Sequence, residues 1–412
     1  MTIKVKKLNF IDILFLLLLL ASEQFFYLFE LPISNSDIAV VIAMLMLAIY
    51  VVIYRCKGIK ETPKEVIGLL AVGLICIIMS AVQGYRNYGQ SLLLGLLPQR
   101  MYIIFLVYFP VKNVIMKSER GIKFAVNSLV AIGTIAAIIY IMQYFLFSGE
   151  TFLVVNHDYR FSDVRLRFAE EITLFSMFYS YYQILNKVRL RWALNFAMHI
   201  FYYIVIIKGR TGFVVIVATL IVIAIIFNRK KLKGVLMLSI IALVLLYAPI
   251  PIMNDYFEGI TDAVDSYQSE EDVRYKGQNF YLTEIAEESS SLILGKGYVN
   301  LNSDSATRIS KADEYYVVDN GYFGVVYYYG LLGVIWNVWL YLYMIKKAYS
   351  WCKEEKGKED VGTGMSIVFL AGSILCPYIM YYHAFLPMIV VLALPDIMHK
   401  RKKKRVFVMR KG

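Results

Sequence analysis

The feature that most restricts this chain is a succession of apolar runs, each close to the thickness of a bilayer, interrupted once by a long wet stretch. The runs cover residues 10–29, 37–54, 65–83, 92–110, 122–147, 169–186, 192–207, 213–227, 234–251, 321–345, 361–380 and 385–398. About 20 residues of helix cross a hydrocarbon layer of roughly 30 Å, so about twelve transmembrane helices are expected. Hydrophobic residues make up 59% of the 412 and charged residues only 18%, a balance unsuited to a separate water-soluble core. The expected fold is an all-α polytopic membrane protein in which 1–412 form a single membrane domain. Lys4, Lys6 and Lys7 before a leucine run imitate a secretory leader, but the apolar part continues past Ala21 and Ser22, which predicts an uncleaved first span. Cys56, Cys76, Cys352 and Cys376 lack any paired spacing for zinc or disulfides.

The connections between runs set an orientation. With both termini cytoplasmic, seven cytoplasmic segments hold 31 of the 43 basic residues, ending in the 399–412 tail with Lys400-Arg401-Lys402-Lys403-Lys404-Arg405. Lysine and arginine are retained on the cytoplasmic side, so the reverse orientation is disfavoured. The net charge of +12 is then a topology signal and implies no nucleic-acid partner; the tail suits lipid headgroups. The wet stretch, 252–320, becomes a large extracytoplasmic loop between the ninth and tenth spans. It carries 14 acids against 5 bases, and its middle, 270–291, has helical spacing in Val273, Phe280, Leu282 and Ile285 before a Gly295-Lys296-Gly297 break. This pattern predicts an amphipathic helix over the membrane mouth.

Outer basic residues are few and unevenly spread. Arg160, Arg165 and Arg167 cluster before the sixth span, and Lys208 and Arg210 occupy the turn Lys208-Gly209-Arg210-Thr211-Gly212. Short flanking runs sink that turn below the outer surface, and Arg100 follows Pro98 inside the fourth span. Charges at such depth need partners, and guanidinium forks match phosphate or carboxylate geometry. The alternative is internal pairing with Glu170, Glu171 or the acidic loop, or a solvated hairpin in which Asp158 and Asp163 interleave with the arginines. Arg86 beside Tyr85 reads equally well as an interface anchor. Asp319 and Asn320 stand where the loop re-enters the membrane, with Asp319 a catalytic group, a helix N-cap, or both. Tyr315, Tyr316 and Tyr322 offer faces for a sugar ring or for the membrane interface. His157 is a lesser candidate base.

Three features together resemble the O-antigen polymerase and ligase superfamily, which includes capsular and exopolysaccharide repeat-unit polymerases. They are the small-residue turn around Arg210, Arg274 followed by Ile293-Leu294-Gly295-Lys296-Gly297-Tyr298, and Asp319-Asn320 followed after nine residues by Gly330-Leu331-Leu332-Gly333. The resemblance implies a metal-independent glycosyltransferase of the C-type helical bundle, without cofactor, in a bacterial plasma membrane. It implies a donor glycan on undecaprenyl pyrophosphate, and as acceptor another lipid-linked repeat (polymerase) or a lipid A core (ligase). A flippase and a chain-length regulator are partners implied by the same likeness. Within it, Arg210 steadies the departing pyrophosphate, while Arg100, Arg160, Arg165, Arg167, Lys208, Arg274, Asn320, Tyr316 and Tyr322 hold substrate. Asp319 takes the acceptor's proton. The ligases carry His where this chain has Asp319, which favours the polymerase. A transporter or flippase of lipid-linked oligosaccharide is the reading from another class; the short 187–191 connection and the lack of an internal repeat weigh against it.

Overall fold

The computed structural model describes residues 8–146, 151–160, 163–208, 216–221, 273–315, 317–354, 386–394 and 397. Among these, six helices are long and apolar enough to cross a membrane: α2 (Asn35–Val52), α3 (Lys64–Tyr88), α4 (Leu92–Ile115), α5 (Glu119–Leu146), α7 (Leu190–Ile207) and the Tyr322–Met344 portion of α12 (Tyr322–Glu354). Two further helices, α1 (Phe10–Ser22) ahead of them and α6 (Glu171–Asn186) between α5 and α7, are shorter. Their surfaces fit lipid: Val41, Met44, Leu45 and Val52 of α2 and Ile67, Leu74, Ile75 and Ile78 of α3 are exposed. A helix apolar on every face belongs in a membrane, and the chain is an α-helical polytopic membrane protein. The expected spans at 234–251 and 361–380 lie outside the described residues.

Local chemistry sets the helix ends. Asn9 and Asp12 close a reciprocal capping box on α1 (2.9 and 3.0 Å), Ser34 caps α2, and Gly89, left-handed at φ 66°, ends α3. The expected first span of 10–29 is corrected: its helix stops at Ser22, and Gln24 to Tyr27 form a left-handed turn with φ of 48–59°. Hydropathy registers Phe25, Phe26 and Tyr27 as span residues because it does not see backbone handedness.

Helices α1 and α2 pack together, α6 packs against α5 and α7, and α3 packs against α4 and α12. At the α5–α6 crossing a Cβ on Gly133 would lie 2.5 Å from the Ile172 carbonyl oxygen, so only glycine permits this approach. Connections then gather at two ends. At one, Val154 N–H bonds Tyr27 O (2.8 Å), Arg86 meets Glu288 (3.4 Å) and Asn300 Nδ2 donates to Leu94 O (2.8 Å). At the other, Asn113 and the Lys57 carbonyl share Tyr50 Oη (2.9 and 2.7 Å), and Lys112 reaches Thr62 (3.3 Å). The first is called the loop end below.

A hairpin occupies the loop end: β1 (His157–Arg160) pairs antiparallel with β2 (Asp163–Leu166), with Asp158 opposite Arg165 and Arg160 opposite Asp163. This is the interleaved hairpin weighed in the sequence. The acidic loop contributes α8 (Val273–Ala286), α9 (Ser289–Leu294), α10 (Asp304–Ser310) and α11 (Ala312–Tyr315). Its helix is thus in two pieces, and the buried stripe of α8 is Gly277, Tyr281 and Ile285, at i, i+4 and i+8. Val273 and Leu282, expected on that stripe, are exposed.

Candidate functional site

The hairpin is held against the end of α7. Arg165 Nε donates to Ile207 O at 2.8 Å, and Lys208, left-handed at φ 50° and only 5% exposed, reaches Val164 O at 3.4 Å. Carbonyls at a helix C-terminus lack intrahelical donors and carry partial negative charge, so two cations there are favourably placed. Arg167 is exposed, its backbone N–H tied to Asn156 O (3.0 Å). The structure therefore brings Arg165 and Lys208 together, two residues from Arg210, which lies outside the described residues together with Tyr316.

Behind these cations is a carboxylate group that sequence reasoning missed as a centre. Glu23, in the turn after α1, is fully buried; Tyr140 Oη donates to its Oε2 (3.2 Å), and its Oε1 has no partner. Burial, then the neighbouring Glu171, pushes its carboxyl well above the usual range, against the lowering effect of Tyr140 and the Ile172 N–H. Glu170, the residue before α6, is pushed up to about 7 by burial and then by Glu171, with Arg165 opposing. Its backbone carbonyl accepts from Thr173 Oγ1 (2.7 Å) and Tyr203 Oη (2.9 Å), and Tyr140 stacks on Phe168 at 3.8 Å. Three glutamates at the N-terminal end of α6 are favoured by its dipole. A carboxyl titrating near neutrality beside a cation can also pass a proton. The one legible signal for Glu23 was an acid embedded in an apolar run.

The remaining candidates divide. Arg100 is not an open cation: its Nη2 and Nε sit 2.5 and 2.7 Å from Asp37 Oδ1, and it also donates to Leu97 O. The internal pairing expected with Glu170, Glu171 or the loop is made instead by an acid at the start of α2. Arg274 and His157 are exposed, and Tyr322 is 42% exposed. Asn320 is buried, donating to Tyr315 O (2.9 Å) against Gly277. Asp319 belongs to the turn Val317–Asn320, and Gly321, at φ 62°, separates that turn from α12. Asp319 thus stands three positions before the first residue of the helix and two before Gly321, which occupies the N-cap position; the side chain of Asp319 lies outside the described residues.

The Gly295-Lys296-Gly297-Tyr298 segment forms a strap sewn into the bundle. Lys296 N–H bonds Tyr327 O (2.7 Å), Asn87 donates to Lys296 O (2.9 Å), and Ser80 Oγ both accepts from Tyr298 N (2.9 Å) and donates to Tyr328 O (2.9 Å). These carbonyls need outside donors because α12 is interrupted at Gly330 (φ 64°, ψ −167°). Among the described residues no cluster of His, Cys, Asp and Glu could hold a metal ion. No protein-family model, curated protein or solved structure matches this chain.

Proposed function

We propose that this protein is an integral-membrane glycosyltransferase that joins lipid-linked oligosaccharide repeat units into polysaccharide at the extracytoplasmic face of a bacterial plasma membrane. The observation that supports the reading is the convergence of Arg165 and Lys208 at the end of α7, two positions before Arg210 in the sequence and in front of Glu170. Displacing a sugar from a pyrophosphate requires compensation of growing negative charge on the leaving group and removal of a proton from the incoming hydroxyl. Arg210, with Arg165 and Lys208, supplies the first. Asp319 is the proposed base for the second, and Glu170 is a further group able to take a proton near neutral pH. The donor is a glycan on undecaprenyl pyrophosphate and the acceptor a second lipid-linked unit; a ligase would differ only in acceptor.

A deletion strain provides the test. It is expected to accumulate one repeat unit on lipid where the parent makes long polymer, with extension restored by the intact gene and not by Arg210→Ala. Unchanged polymer in the deletion strain refutes the proposal. The interruption of α12 at Gly330 favours a second reading, a carrier of lipid-linked oligosaccharide, because broken spanning helices commonly line transport sites. Movement of the lipid-linked unit across vesicles without lengthening would select it.

A further inference from the structure

Behind the charged group at the loop end, a polar seam runs into the membrane domain where α6 packs between α5 and α7. Glu170, Thr173, Ser176 and Ser180 recur at three- and four-residue spacing into α6, and Asn195, His199 and Tyr203 recur at four-residue spacing along α7. Each set therefore shares one helix face. Tyr203 Oη lies 2.7 Å from Thr173 Oγ1 and donates to Glu170 O at 2.9 Å. Deeper, Thr134 Oγ1 of α5 meets Ser176 Oγ (3.1 Å) and Asn195 Oδ1 (3.0 Å), and Asn195 Nδ2 donates to Ser180 Oγ (2.7 Å). From Glu170 to Ser180 the seam descends about 15 Å, roughly half of a hydrocarbon layer.

Hydroxyls and amides alone would serve to hold three helices together. His199 adds something that such packing does not need. It lies near the middle of α7, fully buried, one turn from Asn195 on one side and from Tyr203 on the other. Its Nδ1 is 2.7 Å from Asn195 O, and a carbonyl only accepts, so Nδ1 carries the proton of the neutral ring. Nε2 is then a bare lone pair, and among the described residues it has no hydrogen-bond partner. A titratable side chain at this depth marks an ion or proton path by default. At the mouth of the seam Glu170 is half-buried, its carboxyl pushed up to about 7 by burial and then by Glu171, with Arg165 opposing. The other titratable groups facing Tyr203 are Glu23 after α1, Tyr140 of α5 and the adjacent Tyr202, while the Gly133 carbonyl of α5 faces His199. We infer that the seam is a proton path that opens at Glu170 and ends on His199 Nε2 in the middle of the membrane domain. A proton leaves the Glu170 carboxyl, the hydroxyls of Tyr203 and Thr173 each take one proton and release one, and the Nε2 lone pair takes the last. The result is a carboxylate beside Arg165 and an imidazolium between the Asn195 and Gly133 carbonyls; the reverse transfer, or a new proton from the loop end, resets Glu170.

The chain has 4 histidines, so the full-length protein labelled with nitrogen-15 histidine in nanodiscs gives a short list of ring signals, and His199→Gln identifies those of His199. The measurement is the rate at which the His199 ring proton exchanges with water, compared with the backbone N–H groups of α7 in the same sample. A ring on a proton path exchanges faster than local opening of the helix allows. Tyr203→Phe, which removes one hydroxyl, and Glu170→Gln, which removes the titrating carboxyl, are each expected to slow that exchange by about a hundredfold. Exposed His157 is the internal control, with a rate unchanged in a folded variant. Slowing in either variant with His157 unchanged supports the path, whichever of the two tolerates its substitution better. Exchange at His199 no faster than that of the α7 backbone, or an unchanged rate in both variants, would overturn it and leave the seam as helix packing. Ring exchange is read without any polysaccharide, so this inference and the polymerase reading stand or fall separately.

Discussion

The backbone N–H of Lys296 donates to the carbonyl of Tyr327 at 2.7 Å, so a loop residue supplies the hydrogen bond that α12 forfeits by breaking at Gly330. In an unbroken helix that acceptor would take the N–H of Leu331. The loop and the interruption therefore need one another: without the strap the Tyr327 carbonyl would lose its donor, while that of Tyr328 is met by Ser80 of α3.

Gly297→Ala is expected to undock the strap. Its φ is 100°, and an added Cβ would lie 2.1 Å from Gly84 N and 2.6 Å from Ser80 O. Backbone strain and overpacking together are worth roughly 2–4 kcal/mol. The thermal midpoint should fall by several degrees and proteolysis within 252–320 should accelerate. An unchanged midpoint and cleavage rate would mean that the strap is not seated on α3.

Ser80→Ala removes the donor to Tyr328 O and the acceptor of Tyr298 N–H in one step. Leaving two buried backbone groups unmet costs about 1–3 kcal/mol. Denaturation of the purified variant should show that loss; a change within about 0.5 kcal/mol would indicate that other partners serve these groups.

Much of this was legible in residues and some was not. The runs of α2 to α5 are uniformly apolar, and their helices lie within a few residues of the expected spans. The Gly295-Lys296-Gly297 break ends α9 as its composition implies, and the Asp158/Asp163 hairpin was among the alternatives. Arg100 is paired with Asp37, 63 positions away, which no local pattern reveals. Glu23 was hidden for a related reason: its meaning comes from Glu170, Glu171 and Tyr140, brought together by packing of α1, α5 and α6. The roles of Arg210 and Asp319 rest on their position and on the family resemblance.

The Arg100–Asp37 pair makes a substrate role for Arg100 unnecessary. The double variant Arg100→Leu/Asp37→Leu should retain polymer synthesis, while Arg100→Leu alone, leaving Asp37 without its partner, should lower the thermal midpoint by an amount equivalent to about 1 kcal/mol. Loss of polymer in a well-folded double variant would return Arg100 to the substrate.

Glu170 should make stability depend on pH. Its carboxyl, raised from 4.5 to about 7 when folded, binds its proton more tightly in the folded state. Its contribution is therefore fully present below about pH 4.5 and is lost as pH rises through about 7. Glu170→Gln should equal the parent at pH 4 and exceed it at pH 8 by on the order of 1–2 kcal/mol. Glu23, whose shift has the same direction, adds a slope of the same sign in both proteins. Parallel midpoint-against-pH curves for variant and parent would contradict the assignment.

The most direct measurement uses purified protein in nanodiscs with a lipid-linked single repeat unit from the same source, followed by gel separation of the glycans. A ladder of lengthened lipid-linked products is expected, absent with Arg210→Ala and strongly reduced with Asp319→Asn. No ladder from the intact protein under conditions where the unit is bound, or an undiminished ladder from Arg210→Ala, would contradict the proposed chemistry.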